Sequence, residues 1–426
     1  MKPSRIAVLS LGGALLAGGM AAFLIGITHA PTGRSVESTT PMAIAQQVSI
    51  VDAGKYLVAA GNCTSCHTRL GGAQFSGGLP IRTPFGTIYS SNITPDMQTG
   101  IGQWSAEDFR RAMHDGLGRG GRQLYPAFPY PSFTKLSDED VDAIYAYMRT
   151  LAPVRYSPPV NDFLLRQRWG MVFWNWLSFK PGRFTSDGAR SKEWNRGAYL
   201  VEGLGHCSAC HSPRNLLMAE LSNKAYSGGS FMHEVPTGQV RRWSGVNLTS
   251  SKAGLAAWSL EDLAAYLKNG VSMRAGTFGP MNDVIVNSLR NLTSADVRAM
   301  ATYIKALAPE SSNNLPDAQQ EGAAGAVIYK DRCEHCHLRS GRGGIFNGPP
   351  LAGSAVVVAD DPASLINVIL YGPDAPKEIS LGLWETMKPY ADVLSDIELA
   401  AVANFVRNAW TNRGRAIKPG DVAKQR

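Results

Sequence analysis

The sequence predicts an all-α protein, three tandem copies of one helical unit behind a single N-terminal transmembrane helix. Three observations carry that reading. First, the pattern C-x-x-C-H occurs three times, at Cys63-Thr-Ser-Cys66-His67, Cys207-Ser-Ala-Cys210-His211 and Cys333-Glu-His-Cys336-His337. Each copy is approached by a related apolar phrase: Gly54-Lys-Tyr-Leu-Val, Gly197-Ala-Tyr-Leu-Val and Gly325-Ala-Val-Ile-Tyr. Such self-similarity marks a tandem architecture. Second, each copy closes on a hydroxyl N-cap with an acidic first turn, at Ser137-Asp-Glu-Asp, Thr293-Ser-Ala-Asp and Ser395-Asp-Ile-Glu. Apolar residues then recur at i, i+3 and i+4, the pattern of an amphipathic helix. Third, Ile6–Ile27 is 22 residues with Ser10 as the only polar side chain, long enough to cross a bilayer.

Taken in order, residues 1–30 read as a signal-anchor. Lys2 and Arg5 precede the apolar run and would stay cytoplasmic, so the rest of the chain is exported. Thr28-His29-Ala30 has the form of a cleavage site, but Pro31 follows it and obstructs processing, which favours an uncleaved anchor over a cleaved signal. Residues 31–47, with several Ser, Thr and Pro, read as a flexible tether. The three units span 48–155, 190–310 and 318–412. Within the first two, Ser91-Asn-Ile-Thr94 then Trp104-Ser-Ala-Glu-Asp108 matches Val246-Asn-Leu-Thr249 then Trp258-Ser-Leu-Glu-Asp262, and Ser105 and Ser259 are N-caps. The linker 156–189 holds an aromatic run, Trp169 to Leu177, flanked by Arg166, Arg168 and Lys180. Its rings either pack between the first two units or touch a membrane surface or a quinone. The tail after Trp410, with five Arg or Lys against one Asp, reads as solvated.

The chemistry sits in the cysteines. C-x-x-C-H is the attachment signature of c-type haem: two thiols on one turn of backbone add to the porphyrin vinyl groups, and the adjacent histidine reaches the iron. All six cysteines lie in these motifs, so none remains for a disulfide or a thiolate zinc cage. The reading is three covalently bound haem c groups, on Cys63 and Cys66, Cys207 and Cys210, and Cys333 and Cys336, with His67, His211 and His337 as proximal ligands. The formal charge of +8 does not argue for nucleic acid, because six propionates bring the loaded protein to roughly +2 to +5.

First helix, C-x-x-C-H, middle helix, loop and last helix together resemble a class I cytochrome c domain written three times. In such domains a methionine before the last helix is the sixth ligand, and His/Met ligation raises the potential. Met281, in Gly279-Pro280-Met281, and Met387, in Met387-Lys388-Pro389, take that place in copies two and three. In copy one, Tyr125-Pro-Ala-Phe128-Pro-Tyr130 puts Phe128 there, and phenylalanine cannot coordinate iron. Met97 in its loop, a histidine, or an open five-coordinate iron are the alternatives; Met113 and Met148 are core residues, and His114 sits on a solvated face. In copy three, Gly348-Pro349-Pro350-Leu351 resembles the segment whose proline carbonyl orients the proximal histidine. Arg214, three residues beyond the second motif, is within reach of a propionate.

The longer phrases resemble one family: tri-haem cytochrome c subunits of membrane-bound bacterial dehydrogenases for alcohols, gluconate, sorbitol or fructose, with relatives serving molybdenum hydroxylases. They include Ser76-Gly-Gly-Leu-Pro80, Thr83-Pro-Phe-Gly-Thr-Ile-Tyr89, Leu124-Tyr-Pro-Ala-Phe-Pro-Tyr130, Trp194-Asn-Arg-Gly-Ala-Tyr-Leu-Val-Glu-Gly-Leu-Gly-His-Cys207 and Ala403-Asn-Phe-Val-Arg407. The resemblance implies a periplasmic, membrane-bound electron-transfer subunit with no substrate chemistry of its own. Electrons would come from a catalytic subunit carrying flavin, pyrroloquinoline quinone or molybdopterin and leave to ubiquinone or a terminal oxidase. A peroxidase-like enzyme with an open first haem and a soluble electron shuttle are the competing readings.

Overall fold

The computed structural model of the chain describes residues 49–163, 168–235, 237–309, 322–380, 382 and 384–426. The first copy starts where the Ser49 hydroxyl accepts the Asp52 N–H and opens α1 (Ile50–Ala60). The chain then turns through Asn62, in the left-handed region at φ 51°, into the single turn α2 (Cys63–His67). A hairpin of β1 (Pro80–Thr83) and β2 (Gly86–Tyr89) follows. Next come α3 (Ala106–Asp115), closed by a reciprocal Ser105–Asp108 capping box, then α4 (Tyr130–Phe133) and α5 (Asp138–Thr150). The linker adds β3 (Asp162–Phe163), antiparallel to β2, and α6 (Trp169–Ser178).

The second copy repeats the plan with α7 (Lys192–Tyr199), α8 (Ser208–His211), hairpin β4 (Gly229–Glu234) and β5 (Val240–Gly245), α9 (Leu260–Asn269), α10 (Pro280–Asn287) and α11 (Ser294–Lys305). Its approach phrase is one residue longer than that of the first copy, nine residues between Gly197 and Cys207 against eight between Gly54 and Cys63. A turn of π-helix at Leu200–Leu204 absorbs the extra residue, which is how a helix takes an insertion without losing its far end. The third copy comprises α12 (Ala323–Arg332), α13 (Glu334–His337), α14 (Ala355–Val358), α15 (Ala363–Tyr371), α16 (Asp396–Asn408) and α17 (Pro419–Ala423).

One contact organises every copy. The glycine of each approach phrase lies against the backbone of that copy's closing helix. A Cβ on Gly54 would stand 1.9 Å from the Ala143 carbonyl oxygen, on Gly197 1.9 Å from Ala299 O, and on Gly325 2.2 Å from Ala401 O. Only a missing side chain lets these helices cross at backbone contact. Copies one and two then exchange equivalent bonds. Tyr56 Oη donates to Asp296 at 2.6 Å, and Tyr199 Oη donates to Asp140 at 2.5 Å. Each tyrosine therefore closes the first turn of the other copy's last helix, and the two copies share one continuous core that includes Leu57, Ile144, Leu200, Met300 and Ile304. The third copy has its own core around Tyr329, Leu370, Leu399 and Val406. It docks through α15 on β5: Ser364 Oγ donates to Ser244 O at 2.9 Å, and Asn367 Nδ2 to Arg242 O at 2.8 Å.

Two expectations are corrected. The fold is not all-α: besides the three-stranded β1–β2–β3 sheet and the β4–β5 hairpin, two-residue strand pairs join Leu117–Gly118 to Arg122–Gln123 and Val271–Ser272 to Ala275–Gly276. An N-terminal transmembrane helix is not supported either. Among the described residues no helix is long and apolar enough to cross a membrane, and residues 1–30, where it was expected, lie outside them. The tail also differs from expectation. Ile417 and Val422 are buried, Asn404 Nδ2 donates to Ile417 O at 2.9 Å, and the Arg426 guanidinium reaches Asp396 at 2.6 Å. Two apolar side chains among the charges were enough to fold it back onto α16.

Candidate haem centres

Each C-x-x-C-H motif forms one helical turn, so the first cysteine, the second cysteine and the histidine project from adjacent positions. In all three turns the histidine Nδ1 meets a backbone carbonyl: His67 with Ser91 O at 2.7 Å, His211 with Val246 O at 2.7 Å, His337 with Pro349 O at 2.8 Å. A carbonyl only accepts, so the proton sits on Nδ1 and Nε2 keeps its lone pair for a metal. Burial holds all three imidazoles below the usual histidine range, which favours the neutral ring that a metal ligand requires.

The Pro349 carbonyl does what the Gly-Pro-x-Leu resemblance implied. The equivalent groups in copies one and two were not foreseen, although their signal was in the sequence. Asn92 Oδ1 accepts the Thr94 N–H at 2.9 Å and its hydroxyl at 2.7 Å; Asn247 Oδ1 accepts the same groups of Thr249 at 2.8 and 2.7 Å. The repeated Asn-x-Thr phrase is thus an Asx turn, and the residue before it, Ser91 or Val246, is turned to present its carbonyl to the imidazole. Glycines bring the backbone flush behind the second motif. A Cβ on Gly245 would stand 2.3 Å from Cys210 O and 3.2 Å from His211 Nδ1.

These residues fit a covalently held haem. Cys66 and Cys210 are exposed beside half-buried Cys63 and Cys207. Burial pushes the Cys63 and Cys207 thiols up to about 12, so they remain neutral thiols rather than thiolate ligands. Among the described residues no three His, Cys, Asp or Glu side chains converge as a metal cage would require. Trp243, buried against the Gly279–Met281 loop, has an indole N–H with no partner. An orphaned buried donor at that place suits an anionic group such as a propionate.

The positions expected to supply a sixth ligand differ between copies. Met281 is half-buried at the start of α10 and packs on the shared core, and Met387 is half-buried in the loop before α16. Phe128 stands in the corresponding loop of copy one, its ring edge-on to Phe133 at 5.4 Å between centroids. Met113 and Met148 are core, as expected, whereas Met97 is 57% exposed. His114 is not on a solvated face. It is 2% exposed, its Nδ1 accepts from Arg183 and lies 3.6 Å from Asp138, and burial next to Arg183 lowers it to about 4. Arg214 spends its guanidinium on Met218 O at 2.6 Å and Ala209 O at 2.9 Å, clasping the loop after the second motif.

The centres abut. Asn287 Nδ2, on α10, donates to Ser65 Oγ inside the first motif at 2.9 Å, and Ser288 Oγ to Ala60 O at 3.2 Å. On the same helix Asn282, next to Met281, donates to Asp374 O at 2.9 Å. Gly372, two residues before Asp374, is in turn seated against the Met387 carbonyl.

Residues 51–152 match the family model for cytochrome c, and residues 320–406 match that for subunit III of cbb3-type cytochrome c oxidase. The chain is 38% identical to the gluconate 2-dehydrogenase cytochrome c subunit of Pantoea cypripedii, over 89% of this chain and 90% of that protein. It is 36% identical to the cytochrome c subunit of the quinone alcohol dehydrogenase of Gluconobacter oxydans, over 89% of this chain and 82% of the relative. It is 40% identical to a nicotinate dehydrogenase subunit of Pseudomonas putida over 90% of this chain, which spans only 32% of that longer protein.

Proposed function

The chain belongs to the family of dehydrogenase cytochrome c subunits, and from that premise we propose that it binds three haem c groups and carries electrons from a catalytic dehydrogenase subunit to membrane ubiquinone or a terminal oxidase. The observation that carries this reading is the threefold recurrence of one geometry: a two-thiol turn whose histidine is held by a carbonyl at 2.7–2.8 Å. Bound haem supplies one-electron exchange between ferric and ferrous iron.

The chain's own residues do the rest. Cys63 and Cys66, Cys207 and Cys210, Cys333 and Cys336 hold the ring by thioether bonds, which removes any need for a deep pocket to retain it. His67, His211 and His337 offer Nε2 to the metal, and the Nδ1–H bond fixes ring orientation and raises ligand basicity. Met281 and Met387 provide a soft sixth donor that favours the reduced state. Phe128 provides none, so the first centre has a different potential from the other two. The Asn287–Ser65 and Asn282–Asp374 contacts support a relay in the order one, two, three, since electron transfer falls steeply with separation. The pairing of His114 with Arg183 leaves that histidine unsuited to act as a distal acid or base. We place the protein on the periplasmic side of the cytoplasmic membrane, with a flavin, pyrroloquinoline quinone or molybdopterin subunit as its partner.

The test is purification from membranes with any co-purifying subunit, a pyridine haemochrome assay, and rapid mixing with the partner's substrate. A ratio of three haems per chain and reduction of the cytochrome on mixing are expected. A ratio of two, or a cytochrome that stays oxidised beside a turning-over partner, refutes the proposal.

A further inference from the structure

Helix α6 is apolar on two opposite faces, and the copies of the haem unit explain only one of them. Met171 and Trp174 are buried against Tyr130, with the Trp174 indole N–H on Leu217 O at 2.8 Å. Asn175 is fixed between the Tyr130 hydroxyl at 2.5 Å and Gln123 Oε1 at 3.1 Å. The helix is therefore firmly seated, and its other face is not a loose segment awaiting a core. That face carries Trp169, Phe173 and Trp176, at i, i+4 and i+7, exposed by 72, 60 and 76%. Val172 and Leu177 flank them. Leu216, next to the Leu217 carbonyl that meets Trp174, is 94% exposed. Exposed aromatic rings gathered on one helix face, Phe173 and Trp176 with centroids 5.7 Å apart, mark an interaction site.

We propose that this outward face of α6 lies in the headgroup layer of an anionic lipid bilayer. The helix itself has no charged residue, but exposed cations lie near both ends: Lys180 just past its last turn, and Arg122 beside the N-cap residue Arg168, whose own guanidinium is held by Gln123 O at 2.5 Å and the Tyr125 ring. Exposed Arg122 lies close enough to Arg168 for the two like charges to hold the Arg168 guanidinium below its usual range, after burial. The rim of the patch thus carries a field of one sign, complementary to phosphate headgroups. Tryptophan pairs on an uncharged face, with basic side chains that can reach up to the phosphates, are the composition of an interfacial helix. The inference rests on the proposed membrane-side position only for the choice of lipid. The relay can stand if it fails.

The test uses the haem-loaded full chain reconstituted into vesicles of phosphatidylethanolamine and phosphatidylglycerol. All six native cysteines are engaged by haem, so Phe173→Cys and Trp176→Cys each give one site for a nitroxide label, with Ile397→Cys in the third copy as the exposed control. The haem spectrum of each variant verifies folding. The ratio of oxygen to nickel-chelate accessibility is expected to rise several-fold at 173 and 176 and to stay unchanged at 397. Labels that remain open to nickel on vesicle-bound protein, protein that does not bind the vesicles, or labels shielded only after the catalytic subunit is added each overturn the proposal, the last in favour of a protein partner.

Discussion

Asn247→Ala isolates the link between a local turn and the redox centre it serves. The side chain accepts two hydrogen bonds from Thr249, at 2.8 and 2.7 Å, and donates one to Ser251 at 3.1 Å. At roughly 1 kcal/mol each, with Thr249 left buried and unpaired, the loss amounts to about 2–3 kcal/mol. The consequence lies one residue upstream: the Val246 carbonyl is no longer aimed at His211 Nδ1, which it now meets at 2.7 Å. A weaker Nδ1–H bond makes the imidazole a poorer donor, ferric iron loses more than ferrous, and the potential of the second haem rises. One hydrogen bond of about 1 kcal/mol, at 59 mV per tenfold for one electron, is worth about 40 mV. Spectroelectrochemical titration of the whole chain reads the shift as one moved wave among three. Asn92→Ala, the equivalent change at Ser91 and His67, should move a different wave in the same direction. A thermal midpoint that falls while every wave stays within about 10 mV of wild type would show that the turn is structural only.

Three further outcomes follow from the same geometry. Gly197→Ala and Gly325→Ala place a methyl about 2 Å from a backbone carbonyl; each should cost about 3 kcal/mol or more by forcing two helices apart, read as lost holo-protein yield and denaturant midpoint. Met281→Ala and Met387→Ala should each remove part of the sulfur–iron charge-transfer band and lower one potential, whereas Met97→Ala, at an exposed loop residue, should leave the band intact; a weakened band in Met97→Ala would reverse the assignment. His114 titrates near 4 in the fold, held down by burial and Arg183, with Arg110 adding to this and Asp138 and Asp142 opposing it, but near its ordinary 6.5 when unfolded. The unfolded state therefore binds the extra proton, and stability from this site is intact above 6.5 and falls as pH drops from about 6.5 towards 4, by at most about 3 kcal/mol. Denaturant titrations at pH 7 and pH 5 should show a smaller loss in His114→Gln; equal losses would rule the site out.

How much was legible depended on the range of the interaction. The three motifs and the capped closing helices are sequence-local, because a cap or a two-residue gap needs only its neighbours. Strands were missed because most are short and their ladders join segments such as Gly86–Thr87 and Asp162–Phe163, too brief for a period-two pattern to register, while the six-residue pair β4–β5 lacks a clean alternation of apolar and polar residues. His114 was misplaced because a helical register gives the face but not what covers it; the linker's Arg183 does. The tail was misread by its charge, which hid two buried apolar anchors.

By itself the sequence pointed to the chemistry: thiol pairs next to histidines are the signature of thioether haem, and a phenylalanine stands in the first copy where the other two have methionine. Only the tertiary structure decided which carbonyl steadies each imidazole, which copies share a core, and which face of α6 stays bare. Ligation chemistry is written into adjacent residues, whereas a bond such as Tyr56 to Asp296, 240 residues apart, exists only once the chain has closed the loop between them.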